Sequence, residues 1–299
     1  MRIVLTGVTG QVGGALGATL PQVGTVIAAD RSLLNFAEPA TLPAALDRLT
    51  PDLIINPAAY TAVDRAEDER ELAFIVNGEA PGVLAKWASK RGIPLIHFST
   101  DYVFDGQGEE PWREDSPTGP LSVYGASKLA GEQAIREANG PHLIVRTSWV
   151  YAAKGSNFLR TMARLARERA ELRVVADQIG SPTSAHVIAS AVTSLLEQAR
   201  DNLPESFGRA GGVINVAASG ETSWHGFASA IISGLRARDV ELAVRTVVPL
   251  RTEEYPTKAK RPHNSRFDLS RLRDLFGISP PSWHEALDRE LDLLAAEAR

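Results

Sequence analysis

Apolar residues along this chain fall in two alternating rhythms. Short runs of four or five punctuate longer stretches in which apolar positions recur at helical spacing, a pattern that predicts parallel strands joined by helices. Arg2–Leu5 reads as a buried strand, Gln11–Leu20 as a helix opening on glycines, and Val26–Ala29 as a second strand. A helix through Pro43–Leu49 and a strand at Asp52–Asn56 follow. Leu72, Ile75, Val76, Val83, Leu84 and Trp87 predict one long helix over Glu71–Arg91, which Gly92 and Pro94 end ahead of a strand at Leu95–Ser99. A polar loop, DGQGEEPWREDSPTGP, leads to a helix carrying Tyr124, then to a strand at Leu143–Arg146.

Beyond about Tyr151 the character changes. Helices are predicted at Phe158–Arg169, Ala185–Gln198, Trp224–Arg238 and Trp283–Ala296, with short strands at Arg173–Val175 and Val213–Asn215. Val248–Arg266 is rich in Pro, Thr and basic residues and reads as an ordered loop. The expectation is an α/β fold: a Rossmann-like doubly wound parallel sheet over residues 1–150, then a smaller α/β substrate lobe over 151–299 that returns segments to the first.

Composition narrows the function. At 299 residues, with 44% hydrophobic and 23% charged, the chain has ordinary globular usage and enough length for a large core. A net charge of −4 with interspersed signs gives no field favouring nucleic acid or an anionic membrane. No cysteine is present, which excludes disulfides and thiolate nucleophiles. No stretch approaches the ~20 apolar residues of a membrane span, and the N-terminus reads as a strand, so a cytoplasmic location is expected. The six histidines are scattered without ligand spacing, and no metal site is expected.

Two constellations carry chemistry. Gly7, Gly10 and Gly13 stand as GxxGxxG between a strand and a helix, where glycine lets the backbone approach a pyrophosphate and the helix N-terminus supplies free N–H groups. Asp30 ends the second strand, near the ~20-residue interval of an acid that accepts a ribose 2′-hydroxyl. That favours NADH, while Arg31 offers a partner to the 2′-phosphate of NADPH. Small Ala58 and Ala59, at the end of another parallel strand, admit a flat cofactor. Tyr124 and Lys128 are four apart on a helix and share a face. An adjacent ammonium favours phenolate, so the phenol becomes able to release a proton near neutral pH. Ser99, Thr100 and Asp101 project from the same sheet edge, with a hydroxyl placed to hold a carbonyl. Each element alone has a bland reading as a turn, a cap or an exposed helix; their order along one chain points to hydride transfer.

That order resembles the extended short-chain dehydrogenases/reductases. GVTGQVG, NPAAYTAVDRAE, HFSTDYVFDG, YGASKLAGE, RTSWVYAAKGSNF, DQIGSPT, TSWHGFA and RPHNSRFD together resemble the dTDP-4-dehydrorhamnose reductases over essentially the whole chain. The resemblance implies reduction, by NADH or NADPH, of the 4-keto group of dTDP-4-dehydro-6-deoxy-L-mannose to dTDP-L-rhamnose. It assigns the acid to Tyr124, the cation to Lys128 and the carbonyl-orienting hydroxyl to Thr100, with Asp101 beside them. It implies cofactor contacts from Gly7, Thr9, Gly10, Gln11, Val12, Gly13, Asp30, Arg31, Asn35, Phe36, Ala58, Ala59, Tyr60, Asn77, Ser99, Tyr124, Lys128 and Trp149. For the substrate it implies Thr61, Val63, Val103, Phe104, Trp149, Tyr151, Asn157, Gln178, Pro182, Thr183, Arg261 and Asn264, Trp149 and Tyr151 lining the sugar pocket. The sequence departs from some relatives where a Mg²⁺-bridged dimer would need glutamates. Those places hold Ala15 and His186, which are poor ligands for a hard cation, and a monomer is expected.

Two rival readings remain at this level. One is a non-catalytic NAD(P)-binding regulatory subunit of the same fold, such as the regulatory partner of methionine adenosyltransferase; it is disfavoured because Tyr124, Lys128 and Thr100 are all present. The other is a sibling nucleotide-sugar epimerase or dehydratase, for which Asp101 supplies one carboxylate but Tyr102 does not supply a second.

Overall fold

The structure is a computed structural model and describes residues 1–297; residues 298 and 299 of the expected second lobe lie outside the described residues. Six strands form one parallel sheet in the order Val213–Asn215, His142–Thr147, Leu95–Thr100, Leu53–Asn56, Arg2–Leu5 and Thr25–Ala28. The run LIIN is buried at every position because helices cover both faces, and such strands need no polar alternation. On one face, Ile3, Leu5, Ile55, Ile96 and Val145 pack with Leu16 of the helix Gln11–Thr19 and with Ile188, Val192 and Leu195 of Ala185–Gln198. On the other, Val4, Ile54 and Ile144 meet Leu42 and Leu46 of Leu42–Leu49, Leu84 and Trp87 of Ala80–Ser89, and Ile135 of Val123–Glu137.

Arg2–Leu5 lies between its two successors in the chain, so the connections leave it in opposite directions. A crevice opens there at the carboxyl ends of the strands. A second core gathers Tyr151, Leu159, Phe227, Ile231, Trp283, Leu287 and Leu291. It is built by the helices Phe158–Glu168, Trp224–Arg236 and Trp283–Glu297 over the parallel pair Glu171–Val175 and Thr246–Leu250.

Two predicted elements differ. The long helix is interrupted: Arg70–Phe74 and Ala80–Ser89 are α-helical, but Ile75–Glu79 forms a π turn. Pro81 has no N–H to offer the carbonyl of Asn77, and the widened turn lets the Asn77 side chain bond outside its own helix. The expected loop over 248–266 begins inside a strand and later contains a 3₁₀ turn at Thr252–Glu254 and a short strand at Asn264–Ser265. Pro249 hides the first strand from a pattern reading, yet it is tolerated in a two-stranded ribbon.

Candidate active site

The glycine-rich turn is shaped by contact rather than by flexibility alone. Gly7 has φ +57°, and a Cβ there would lie 2.8 Å from the Ala58 amide nitrogen. A Cβ on Gly13 would come within 2.1 Å of the Gly7 carbonyl oxygen, so no side chain fits. Gly10 is the N-cap of Gln11–Thr19 and no side chain caps that end. The first amides of the helix are therefore left for an anion. Thr9 and Gly10 are exposed and Gln11 and Val12 half-buried around this cradle, which fits the pyrophosphate of a dinucleotide. Asp30 and Arg31 are exposed at the end of Thr25–Ala28. Asp30 Oδ1 accepts from both the amide and the hydroxyl of Ser32, which holds its carboxyl below the usual range. Asn35 and Phe36 do not present themselves as open cofactor contacts. The Asn35 amide donates to Glu38 and accepts from the Ala37 amide nitrogen, and Phe36 is buried in the core with Leu42 and Leu46.

The helix Val123–Glu137 is anchored at its first turn. Ser122 Oγ accepts from the Gly125 amide, Glu67 accepts from the Val123 amide, and a Cβ on Gly125 would lie 2.2 Å from the Tyr102 carbonyl oxygen. Gly78 and Gly131 allow the π turn to press on the same helix, where Asn77 donates to Ser127 Oγ and grips the Tyr60 backbone from both sides. Tyr60 hydroxyl donates to Glu69. Asn77 is wholly buried and so acts on the site through Tyr60 and Ser127.

Tyr124 is half-buried and meets Tyr102 edge to face at 5.4 Å. Lys128 is buried one turn further on, with Nζ donating to the Phe98 carbonyl at 2.6 Å. Thr100 Oγ1 donates to Asp101 Oδ1 at 2.9 Å, and Ser265 Oγ donates to Asp101 Oδ2 at 2.5 Å. Burial pushes the Asp101 carboxyl up to about 6 against those two bonds. Burial also pushes Lys128 down to about 8, with Glu132 opposing.

The phenol departs from expectation. Burial, with smaller contributions from Asp101 and Tyr102, raises Tyr124 well above the ordinary tyrosine value, and Lys128 is not among the influences on it. Thr100 works in the opposite direction. The reason is geometric, because the lysine points to the Phe98 carbonyl. The hydroxyl hydrogen of Thr100 is likewise engaged by Asp101.

On the sugar side, Trp149 adopts φ +49°, a left-handed conformation that costs a tryptophan of order 1 kcal/mol or more. Its indole stacks on Trp224 at 3.6 Å and 7°, and Gly180 makes room, since a Cβ there would lie 2.6 Å from the ring. Tyr151 is not a pocket wall: it is fully buried against Phe227. Val103 and Phe104 are also core residues, with Phe104 stacked on Trp112 at 4.6 Å. Thr183 is buried, its hydroxyl donating to the Ser181 carbonyl and accepting from the Ala218 amide. Asn264 is buried and bonded to the Glu110 carbonyl and Arg266. Pro182 is buried, Val63 half-buried and Thr61 exposed. Gln178 donates to Thr252 at 3.1 Å. Asn157 caps Phe158–Glu168 and donates to Gln11 at 2.9 Å, joining the second lobe to the glycine-rich turn. Arg261 forks onto Asp64 at 2.6 Å and Tyr102 at 3.0 Å, so a carboxylate already balances its charge.

Four residues enter that sequence reasoning did not single out: Ser265, Asp64, Trp224 and His97. All lie inside the motifs quoted above, yet their partners are set by folding and carry no local spacing signal. Among the described residues no three His, Cys, Asp or Glu side chains gather as a metal site, and no helix is long and apolar enough to cross a membrane.

A dinucleotide cradle facing a helix-borne Tyr and Lys beside a Thr–Asp edge defines an NAD(P)-dependent reductase of the extended short-chain type. The family model described as RmlD substrate binding domain matches residues 1–296. The chain is 46% identical over 290 residues to the dTDP-4-dehydrorhamnose reductase of Burkholderia thailandensis, covering 96% of this chain and 97% of that one. It is 42% identical to the Escherichia coli K12 enzyme of the same name, covering 98% of each. The crystal structure of dTDP-4-dehydrorhamnose reductase from Bacillus anthracis in complex with NADP superposes with TM-score 0.87 at 36% identity, over 98% of this chain and 99% of that one. The chain belongs to the RmlD family of dTDP-4-dehydrorhamnose reductases.

Proposed function

We propose that this chain reduces the 4-keto group of dTDP-4-dehydro-6-deoxy-L-mannose to dTDP-L-rhamnose at the expense of NADH or NADPH. The observation that carries the reading is the placement of Tyr124, Lys128, Thr100 and Asp101 at one sheet edge, together with a glycine-rich turn whose following helix has no side-chain cap at its N-terminus. A nicotinamide dinucleotide held by the glycine-rich turn would supply the hydride for the carbonyl carbon. Tyr124 supplies the proton to the oxygen, completing the alcohol. A raised phenol pKa keeps that proton in place at neutral pH, and the neutral phenol is the form a reduction consumes. Lys128 lies one helical turn away with its Nζ on the Phe98 carbonyl rather than on the phenol. Asp101 fixes the Thr100 hydroxyl at the sheet edge beside the phenol.

Residues 1–150 form the nucleotide lobe in this reading and most of the remainder the sugar lobe. The glycine cradle holds the pyrophosphate, and Trp149 on Trp224 is the aromatic wall beside the sugar. In this reading the enzyme is cytoplasmic and a monomer, the latter because the family resemblance puts Ala15 and His186 where a shared cation would need carboxylates. An epimerase or dehydratase is disfavoured because Asp101 is tied between Thr100 and Ser265. The deciding assay follows NADH and NADPH oxidation with dTDP-4-dehydrorhamnose beside its UDP analogue. Turnover of the dTDP-sugar is expected; oxidation of neither cofactor would overturn the proposal.

A further inference from the structure

A string of buried polar groups runs beneath the site and joins its two halves. Thr6, which precedes Gly7, lies 2.6 Å through Oγ1 from Asn56 Oδ1 and accepts from the Ala58 amide at 3.3 Å. Asn56 Nδ2 lies 3.0 Å from His97 Nδ1, and His97 Nε2 lies 3.3 Å from Lys128 Nζ. Thr6, Asn56, His97 and Lys128 are each at most 2% exposed, so no solvent can substitute for a missing partner. The string crosses three adjacent strands, at the ends of Arg2–Leu5 and Leu53–Asn56 and the middle of Leu95–Thr100, from the cofactor cradle to the catalytic helix.

Its hydrogens can be arranged in two senses. In one, Thr6 donates to Asn56, Asn56 donates to Nδ1, and the Nε2–H points at Lys128. That sense suits only a neutral amine, because an ammonium has no lone pair to accept with. In the other, the Asn56 amide is turned by half, which exchanges its O and N. Lys128 then donates to Nε2, Nδ1–H donates to the Asn56 oxygen, and the amide N–H donates to Thr6. The Lys128, His97 and Asn56 links are then made around a cation, with Thr6 Oγ1 accepting from both the Asn56 amide and the Ala58 amide. Glu132 on the same helix favours the cation, although Arg146 and Arg136 already engage its carboxylate. His97 itself stays neutral, since burial and the facing lysine hold it well below the ordinary histidine value.

We propose that His97 is a positioning residue whose neutral Nδ1–H tautomer accepts from Lys128 at Nε2, keeping the lysine an ammonium and linking its charge through Asn56 and Thr6 to the glycine-rich turn. The proposal deepens the reductase reading and rests on it for its kinetic consequence. Removing the acceptor leaves the ammonium, among the described residues, with the Phe98 carbonyl as its one neutral hydrogen-bond partner, so it loses its proton at lower pH. His97→Gln places an amide oxygen near the site of Nε2 and keeps the acceptor; His97→Leu abolishes it.

Nitrogen-15 NMR of histidine-labelled wild-type protein decides the tautomer, with His97 assigned as the imidazole absent from His97→Gln. An unprotonated Nε2 beside a protonated Nδ1 between pH 6 and ~7.5 is expected; a protonated Nε2 overturns the proposal. This result does not depend on turnover, so it holds or fails apart from the proposed reaction. In the pH profile of kcat/KM, the alkaline limb of His97→Leu is expected to fall about one pH unit lower, a roughly tenfold change in the protonated fraction at the midpoint, while His97→Gln keeps the wild-type limb. An unmoved limb in a folded His97→Leu protein also overturns it.

Discussion

Replacing Lys128 by Met removes the titrating amine from a site where its charge is costly, and the consequence is a pH-dependent stability difference of calculable size. Lys128 is 2% exposed, and its value falls from 10.5 to about 8 on folding. Because the folded value is depressed, the native state releases its proton first. Between the two values the unfolded chain holds one proton more, and wild-type stability rises with pH relative to the variant. The span is about 2.5 units, and ~1.4 kcal/mol per unit gives about 3 kcal/mol. Loss of the bond to the Phe98 carbonyl adds a constant that does not vary with pH. Urea unfolding of both proteins at half-unit steps from pH 7 to pH 10.5 reads the difference, since other titrating groups cancel. Wild type should gain ~3 kcal/mol on the variant across that window. A gap that stays flat within 0.5 kcal/mol, a margin of about a third of a pH unit, would show that Lys128 is solvated in the native state and refute the argument.

Tyr124→Phe should lower turnover about 10²–10⁴-fold while NAD(P)H binding, followed by fluorescence titration, stays near wild type. Asp30→Ala should raise kcat/KM for NADPH relative to NADH, because a carboxylate facing the 2′-phosphate is gone; an unchanged ratio would point to Arg31 as the governing residue. Asp101→Asn should abolish a stability decline that wild type shows as pH rises from about 4 to about 6. The raised folded value means the native state keeps a proton there that the unfolded chain has lost. Light scattering with EDTA and with Mg²⁺ should give one monomeric mass, and a dimer that dissociates on chelation would contradict the metal argument.

The sheet was legible because its strands are short apolar runs with breakers on both sides, as Gly92 and Pro94 precede Leu95–Thr100. The candidate site residues could be picked out for a similar reason: Gly7 and Gly13 lie in one local turn, and Tyr124 and Lys128 stand four apart on one helix. What sequence order does not encode is which distant groups converge. Asp101 finds Ser265 across 164 positions, and Arg261 finds Asp64 across 197. The second of those bonds alters the role assigned to Arg261, and no periodicity announces either. Tyr151, Val103 and Phe104 show the opposite error, in which a motif position belongs to the core beneath the site. Pro249 and Pro81 are informative exceptions, one sitting inside a strand and the other breaking a helix into a π turn.

The sheet's dependence on late segments has a consequence for how the chain reaches this state. His142–Thr147 remains an open edge until Val213–Asn215 arrives, and the helix Gln11–Thr19 rests on Ala185–Gln198, where Thr193 donates to Thr19 across 174 positions. A ribosome must therefore release roughly two thirds of the polypeptide before the first helix meets its neighbour. Until then an apolar face and an unpaired strand stand exposed, a state that invites association with other chains and calls for chaperone protection. Closure between such remote segments is slow because the long intervening loop must be ordered first. A substitution at Ile188 or Val192 should thus act first on soluble yield during synthesis, even where the finished enzyme tolerates it.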